Sequence, residues 1–193
     1  MREHKGKRLC ISGIPTAGKS TLTRKLAEAT NGIGVFLDDY REELASDERY
    51  IKWVNFYIDQ DLETYYTTTS PEDEWKNLVA QSEAIWPAFL ERIDSYAENE
   101  RPVIFECVNL LPHLINRDLG FPCVVLIGSS YEETLERNKR DPRWGSTERE
   151  LELNSKSFFF VERPHYIEEA EKYGYPMFES SEDAFPKALD LLK

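Results

Sequence analysis

No hydrophobic run of about 18 residues occurs in this chain, so no segment reads as a membrane-spanning helix. The first residues, Met1-Arg2-Glu3-His4-Lys5-Gly6-Lys7-Arg8, are charged and lack the apolar centre of a secretory signal, so the expectation is a cytoplasmic protein. Cysteine is scarce and odd in number: Cys10, Cys107 and Cys123 each fall in or beside an apolar stretch. They read as small reduced core residues, and their spacing suits no metal site. Basic residues are outnumbered, 24 against 36 acidic, for a net charge of −12. That balance weighs against nucleic acid as the main substrate, because a phosphate backbone calls for a basic footprint. It reads instead as a solubility device. Internal repeats and low-complexity tracts are absent. The chain of 193 residues, 40% of them hydrophobic, is long enough for one domain with its own core.

What the chain does contain is Gly13-Ile14-Pro15-Thr16-Ala17-Gly18-Lys19-Ser20-Thr21, a match to the phosphate-loop (Walker A) pattern G-x-x-x-x-G-K-S/T. The apolar run Arg8–Ser12 before it suits a buried parallel strand. After it Leu22, Leu26 and Ala29 fall on one helical stripe. Strand, glycine loop and helix give the motif its mechanism. The glycines let the backbone turn around phosphate, and the turned N–H groups and the helix start attract negative charge. Pro15, Thr16 and Ala17 complete the nucleotide-binding loop, with Thr21 at its end. Lys19 can reach the β- and γ-phosphates, and the Ser20 hydroxyl can hold Mg²⁺. The expected cofactors are ATP and Mg²⁺.

Further strand-like runs recur at 34–37, 102–107, 122–127 and, more weakly, 175–178, separated by helical patterns. This alternation argues for an α/β fold with a parallel sheet. A long helix is expected from a Ser70 cap and Pro71 to about Tyr96, kinked at Pro87. Others are expected at 131–139, at 154–173 with an interruption at Pro164, and at 182–192. Between residues 46 and 70 the chain is rich in rings: Tyr50, Trp53, Phe56, Tyr57, Tyr65 and Tyr66. Core formation explains their spacing; an acceptor pocket walled by rings is the functional alternative.

Ligands of an open parallel sheet bind beyond the carboxyl ends of its strands. Asp38-Asp39-Tyr40-Arg41 follows the second strand directly, so its charges approach the phosphate site. Asp38 is the first candidate for the base that takes a hydroxyl proton, Asp39 the second, and Arg41 can fork onto an anion of the acceptor. Glu106 ends the third strand and can hold the water shell of Mg²⁺, and Asn109 can touch the acceptor. Arg137, Lys139, Arg140 and Arg143 follow the fourth strand, where Arg137 and Arg140 can stabilise charge in phosphoryl transfer. Asn138-Lys139-Arg140-Asp141 also matches the guanine-reading N-K-x-D of GTPases. It lies at the end of an amphipathic helical stretch rather than directly after an apolar strand, and the chain has no D-x-x-G, so the GTPase reading is rejected.

Together the phosphate loop, Asp-Asp-x-Arg after strand two, an acid ending strand three and an arginine-rich segment after strand four resemble the P-loop kinases. The groups most similar in pattern are polynucleotide kinase, 2-phosphoglycerate kinase and chloramphenicol phosphotransferase. Asp38–Arg41 resembles the polynucleotide-kinase segment whose first Asp is the base and whose Arg grips acceptor phosphate. Arg137–Arg140 is similar to that family's lid, and Glu106-Cys107-Val108-Asn109-Leu110-Leu111-Pro112 to the 2-phosphoglycerate-kinase type. The resemblance implies a three-layer fold with a five-stranded parallel sheet in the order 2-3-1-4-5, helices on both faces and an Arg-rich lid. The resemblance covers roughly residues 8–45 and 102–145; the segment 46–101, which lies outside it, is expected to be the acceptor-binding cap of a single domain over 1–193, with the lid at 137–154. The expected activity is Mg²⁺-dependent transfer of the γ-phosphoryl group of ATP to a hydroxyl of a small-molecule acceptor. The alternatives are a 5′-hydroxyl polynucleotide kinase and a nucleotide-dependent switch without kinase activity.

Overall fold

The computed structural model describes residues 3–142 and 144–193; Arg143, counted above with the basic cluster, lies outside them. Five strands, β1 (Arg8–Gly13), β2 (Ile33–Phe36), β3 (Val103–Glu106), β4 (Cys123–Leu126) and β5 (Met177–Phe178), form one parallel sheet in the order β2-β3-β1-β4-β5. That is the expected order. Leu9, Cys10, Ile11, Val103, Ile104, Phe105, Val124, Val125 and Leu126 have no measurable exposure. A parallel strand is covered on both faces, which is why these segments are continuously apolar rather than alternating. The three cysteines are free and buried as expected.

Helices cover both faces of the sheet. The first, α1 (Lys19–Thr30), buries Leu22, Thr23 and Leu26, while Ala29 is exposed. The inward stripe is therefore one step narrower than the apolar spacing suggested, with Thr23 inside in place of Ala29. After β2 come α2 (Leu37–Glu43), the short α3 (Ile51–Val54) and α4 (Leu62–Thr68). Next is the long α5 (Pro71–Asp94), whose Ser70 cap accepts from the Asp73 N–H at 3.2 Å. Pro87 does not end α5. Pro87 and Glu83, whose carbonyl loses its helical partner, are both exposed, so water can satisfy that group. Ile85, Trp86, Phe89 and Ile93 of α5 belong to the same core as the sheet.

A single turn, α6 (Pro112–Leu114), follows β3, and α7 (Tyr131–Arg140) follows β4. The helix expected over 154–173 begins earlier and changes pitch. It runs as α8 (Glu148–Lys156), a wider π-helical stretch over Ser157–Glu162, and α9 (Arg163–Tyr173). Its start is set by a capping box between Thr147 and Glu150. Pro164 does not break the run: it stands where the π-helical stretch passes into α9, and a carbonyl one turn before it goes without a helical N–H partner. The chain closes with α10 (Ser181–Leu191).

Candidate functional site

The strand register sets the site. Glu106 lies level with Ile11 and with Phe36, and Gly13 lies level with Leu126, so the chain leaves β1, β2, β3 and β4 at one edge. A cleft of about 560 Å³ opens there, lined by Pro15, Thr16, Gly18, Lys19, Ser20 and Thr21 of the loop and by residues of the opposite wall. Gly13 and Ala17 support it from behind. A Cβ on Gly13 would fall 1.9 Å from the Leu126 carbonyl oxygen, and Gly13 has φ 124°, so only glycine fits. Gly18 has φ 96°, and Thr16, with φ 64°, holds the left-handed region despite its branched side chain. Gly18 offers no capping side chain to α1, so the first N–H groups of that helix keep their capacity for an anion. Lys19 is buried, its Nζ donating to the carbonyls of Gly13 at 3.0 Å and Ile14 at 2.8 Å.

The Ser20 hydroxyl donates to Glu106 Oε1 at 2.8 Å. With its hydrogen directed at Glu106, the Ser20 oxygen keeps lone pairs for a hard cation. Among the described residues no cluster of three or more metal-binding side chains occurs. Both facts fit Mg²⁺, which takes one or two protein oxygens and completes its shell with phosphate oxygens and water.

On the opposite wall, α2 starts immediately after β2. Asp38 and Arg41, three residues apart, therefore share its inner face, and Asp39 is exposed at the cleft. Asp38 and Arg41 are buried, 3% and 5% exposed, and pair at 3.1 Å. Arg41 Nη1 also donates to Asn109 Oδ1 at 2.6 Å, and Asn109 Nδ2 donates to Ser82 Oγ at 2.8 Å and Gln81 Oε1 at 3.1 Å. The Cys107 thiol donates to Asp38 Oδ1 at 3.3 Å. Burial, with the Asp38 charge adding to it, pushes that thiol well above its usual range and keeps the donor protonated. Arg41, expected to grip an acceptor anion, makes its contacts with Asp38 and Asn109 through Nη1.

From α7, Arg137 Nη1 donates to the Thr16 carbonyl at 3.1 Å and pairs with Glu133, so this arginine touches the phosphate loop. Arg140 lines the cleft from the exposed end of α7. Asn138, the first residue of the rejected N-K-x-D match, is buried. Its Nδ2 donates to the Leu151 carbonyl at 3.2 Å and to Ser155 Oγ at 3.1 Å, tying α7 to α8.

A second, smaller chamber of about 50 Å³ adjoins the cleft, and the two share Pro15, Val108, Trp144 and Phe158. Its outer wall is Val54, Tyr57, Ile58, Leu62 and Tyr66, so part of the ring-rich segment does face a cavity. Trp53 does not line it; it stacks on Phe56 at 5.9 Å between ring centres. The inner wall carries Arg41, Gln81 and Glu162. Glu162 closes the π-helical stretch, which brings it and Phe158 to the same chamber. Its Oε2 is sealed from solvent without a hydrogen-bond partner among the described residues. Burial pushes the Glu162 carboxyl up to about 8, opposed by the charge of Lys19 and reinforced by that of Glu74. Glu162, Trp144 and Phe158 were missed in the sequence. Glu162 carries no motif, and a π turn that re-aims a side chain leaves no periodic trace.

No protein-family model matches the chain, and no curated protein matches it in sequence. Solved structures do match in fold. Shikimate kinase from Acinetobacter baumannii in complex with shikimate is similar with a TM-score of 0.55 and 15% identity, over 98% of this chain and 94% of that one. A gluconokinase from Sinorhizobium meliloti 1021 has a TM-score of 0.46 and 18% identity, over 99% and 93% of the two chains. Deoxyadenosine kinase from M.mycoides has 0.47 and 16%, over 96% and 96%. The likeness to the first establishes the three-layer α/β fold of a P-loop kinase.

Proposed function

We propose that this protein is a kinase that transfers the γ-phosphoryl group of ATP to a hydroxyl of a small molecule, with Mg²⁺. The observation that carries the reading is the meeting of the two cavities: a phosphate-loop cleft and a ring-walled chamber share one wall, and Asp38 stands on the cleft side with Arg41 on the chamber side. In this reading Lys19, the loop N–H groups and Arg137 hold the phosphates, and Arg140 supports them from the rim. Ser20, backed by Glu106, would hold Mg²⁺, which when bound screens phosphate charge. Asp38 receives the proton of the acceptor hydroxyl as its oxygen bonds to the γ-phosphorus and the bond to the β,γ-bridging oxygen breaks, leaving ADP. Arg41, Asn109 and the Cys107 thiol keep Asp38 oriented. The segment 46–101 contributes the acceptor wall and 137–154 acts as the lid. The likeness in fold to a shikimate kinase supports this class of acceptor. The small size of the chamber and the net charge of −12 disfavour a polynucleotide.

The test is Lys19→Ala, followed by Mg²⁺-ATP binding and by ADP release against pools of hydroxyl compounds. Binding and acceptor-stimulated release in the wild type, with release lost in a folded Lys19→Ala protein, are the expected results. Near wild-type turnover in that variant overturns the reading.

A further inference from the structure

The polar groups of the second chamber are unequally occupied. Arg41 is paired with Asp38 at 3.1 Å and bonded to Asn109 at 2.6 Å, and its guanidinium carbon stands 5.6 Å from the centre of the Trp144 ring. Gln81 donates to the Trp53 carbonyl at 2.7 Å and accepts from Asn109 at 3.1 Å, so both ends of its amide are used. Glu162 differs: its Oε2 is sealed from solvent and has no hydrogen-bond partner among the described residues. Tyr57 and Tyr66 line the same chamber, and the charges of Lys19 and Glu74 reach the Glu162 carboxyl.

Burial favours the protonated form of the Glu162 carboxyl, and one kind of ligand group above others would favour its ionised form and partner the sealed Oε2. An ammonium supplies charge-assisted N–H donors to the carboxylate and is attracted to ring faces. An anionic acceptor would meet the carboxylates of Glu162 and Glu42 on the chamber wall, and Nη1 of Arg41 is already occupied. A neutral acceptor would offer the sealed Oε2 no charge-assisted partner. Apart from Glu42, the remaining wall, with Val54, Ile58, Leu62 and Leu78, is apolar and suits a compact hydrocarbon or ring body.

We propose that the acceptor is a compact amino alcohol, its protonated amine seated on Glu162, its apolar body against Tyr57 and Tyr66, and its hydroxyl turned towards Asp38. This rests on the kinase reading and names the substrate class for the same site. It also assigns Glu162 as a specificity-determining residue.

Three matched probes test it: 2-amino-1-phenylethanol, its N-acetyl derivative and mandelate, which present an amine, a neutral amide and a carboxylate on the same aryl alcohol frame. Their affinities are measured by calorimetry on the full chain with Mg²⁺ and a non-hydrolysable ATP analogue, and their phosphorylation by ADP release from Mg²⁺-ATP. The amine should bind about tenfold or more tightly than either partner, the scale of one charge-assisted contact. Glu162→Gln, with its fold checked by thermal midpoint, should bring the amine to the level of the N-acetyl derivative. The proposal is overturned if mandelate or the amide binds as well as the amine, if the preference survives in Glu162→Gln, or if the amine shows no binding up to about 10 mM. A chain that binds Mg²⁺-ATP through Lys19 yet prefers mandelate keeps the kinase reading and loses this one. A chain that fails to bind Mg²⁺-ATP loses the kinase reading itself.

Discussion

Two carboxylates decide most of the chemistry proposed here, and their surroundings differ. Asp38 is buried against a guanidinium and a thiol donor, so its charge is compensated. Replacing it by Asn should lower acceptor phosphorylation by roughly 10²- to 10⁴-fold, the scale of a lost general base, with ATP binding little changed. A rate within a few-fold of wild type, or an Asp39→Asn variant that is the crippled one, would move the base to Asp39. Glu162 is raised from an ordinary 4.5 to about 8, so the folded chain holds a proton there that the unfolded chain has lost. Stability should therefore fall as pH rises from about 4.5 to about 8 and level off beyond, because between those values the native state binds the extra proton. Urea midpoints across this window should show the decline in the wild type and lose that part of it in Glu162→Gln. Identical slopes in the two proteins would mean that the carboxyl ionises freely. Asp38 was legible in the sequence because it directly follows a strand at the ligand edge. Glu162 was not, because its isolation depends on rings from α4 and the turn before it and on α5, all distant in sequence.

At the scale of elements, the segment from α7 to α9 behaves as a connected unit around the cleft. Asn138 donates to two acceptors on α8, Asn154 Nδ2 donates to the Trp144 carbonyl at 2.8 Å, and Ser157 of the π stretch donates to Glu74 of α5. The N-K-R-D string is therefore a helix-to-helix tie with no guanine to read. Asn138→Ala leaves the Leu151 carbonyl and Ser155 without that donor and should lower the unfolding free energy by about 1–3 kcal/mol. Denaturant titration measures it, and a change below about 0.5 kcal/mol would make the tie unimportant. The aromatic segment divides in a way that spacing does not reveal. Tyr57 and Tyr66 face the chamber, whereas Trp53 covers the core and stacks on Phe56. Tyr57→Phe keeps the ring and removes the hydroxyl, so it should change acceptor KM only modestly, and Tyr57→Ala should raise acceptor KM more than ATP KM. Equal shifts in both constants would assign Tyr57 to the core.

For the whole molecule, the sheet order, the cleft at its carboxyl edge and the net charge of −12 act together. A ligand that binds only the folded chain stabilises it by mass action, about 2.7 kcal/mol at a hundredfold excess over Kd. For a domain of this size that is roughly 5–11 °C in Tm with saturating Mg²⁺-ATP. The shift should vanish in Lys19→Ala, and scanning fluorimetry reads both. Single-stranded oligonucleotides should give no comparable shift at either low or high salt. A shift that appears at low salt and fades steeply at high salt would revive the polynucleotide alternative.

The local signals in the chain determined the parallel α/β architecture, the phosphate loop and the placement of Asp38 and Glu106. Each depends on a few consecutive residues and on which end of a strand they occupy, which are local facts. The approximate extents of β1 to β5 follow for the same reason, because strands covered on both faces are written as apolar runs. Tertiary structure alone decided three matters. It brought Arg41 Nη1 to Asp38 and Asn109, through residues 68 positions apart in the Arg41–Asn109 bond. It turned Asn138 inward onto α8. It also sealed Glu162 behind α4 and α5 by a π-helical stretch in mid-helix. These outcomes depend on which distant surfaces meet. A carboxylate's charge, a guanidinium's partners and the contents of a cavity are set by neighbours in space, and a periodic pattern along the chain does not name those neighbours.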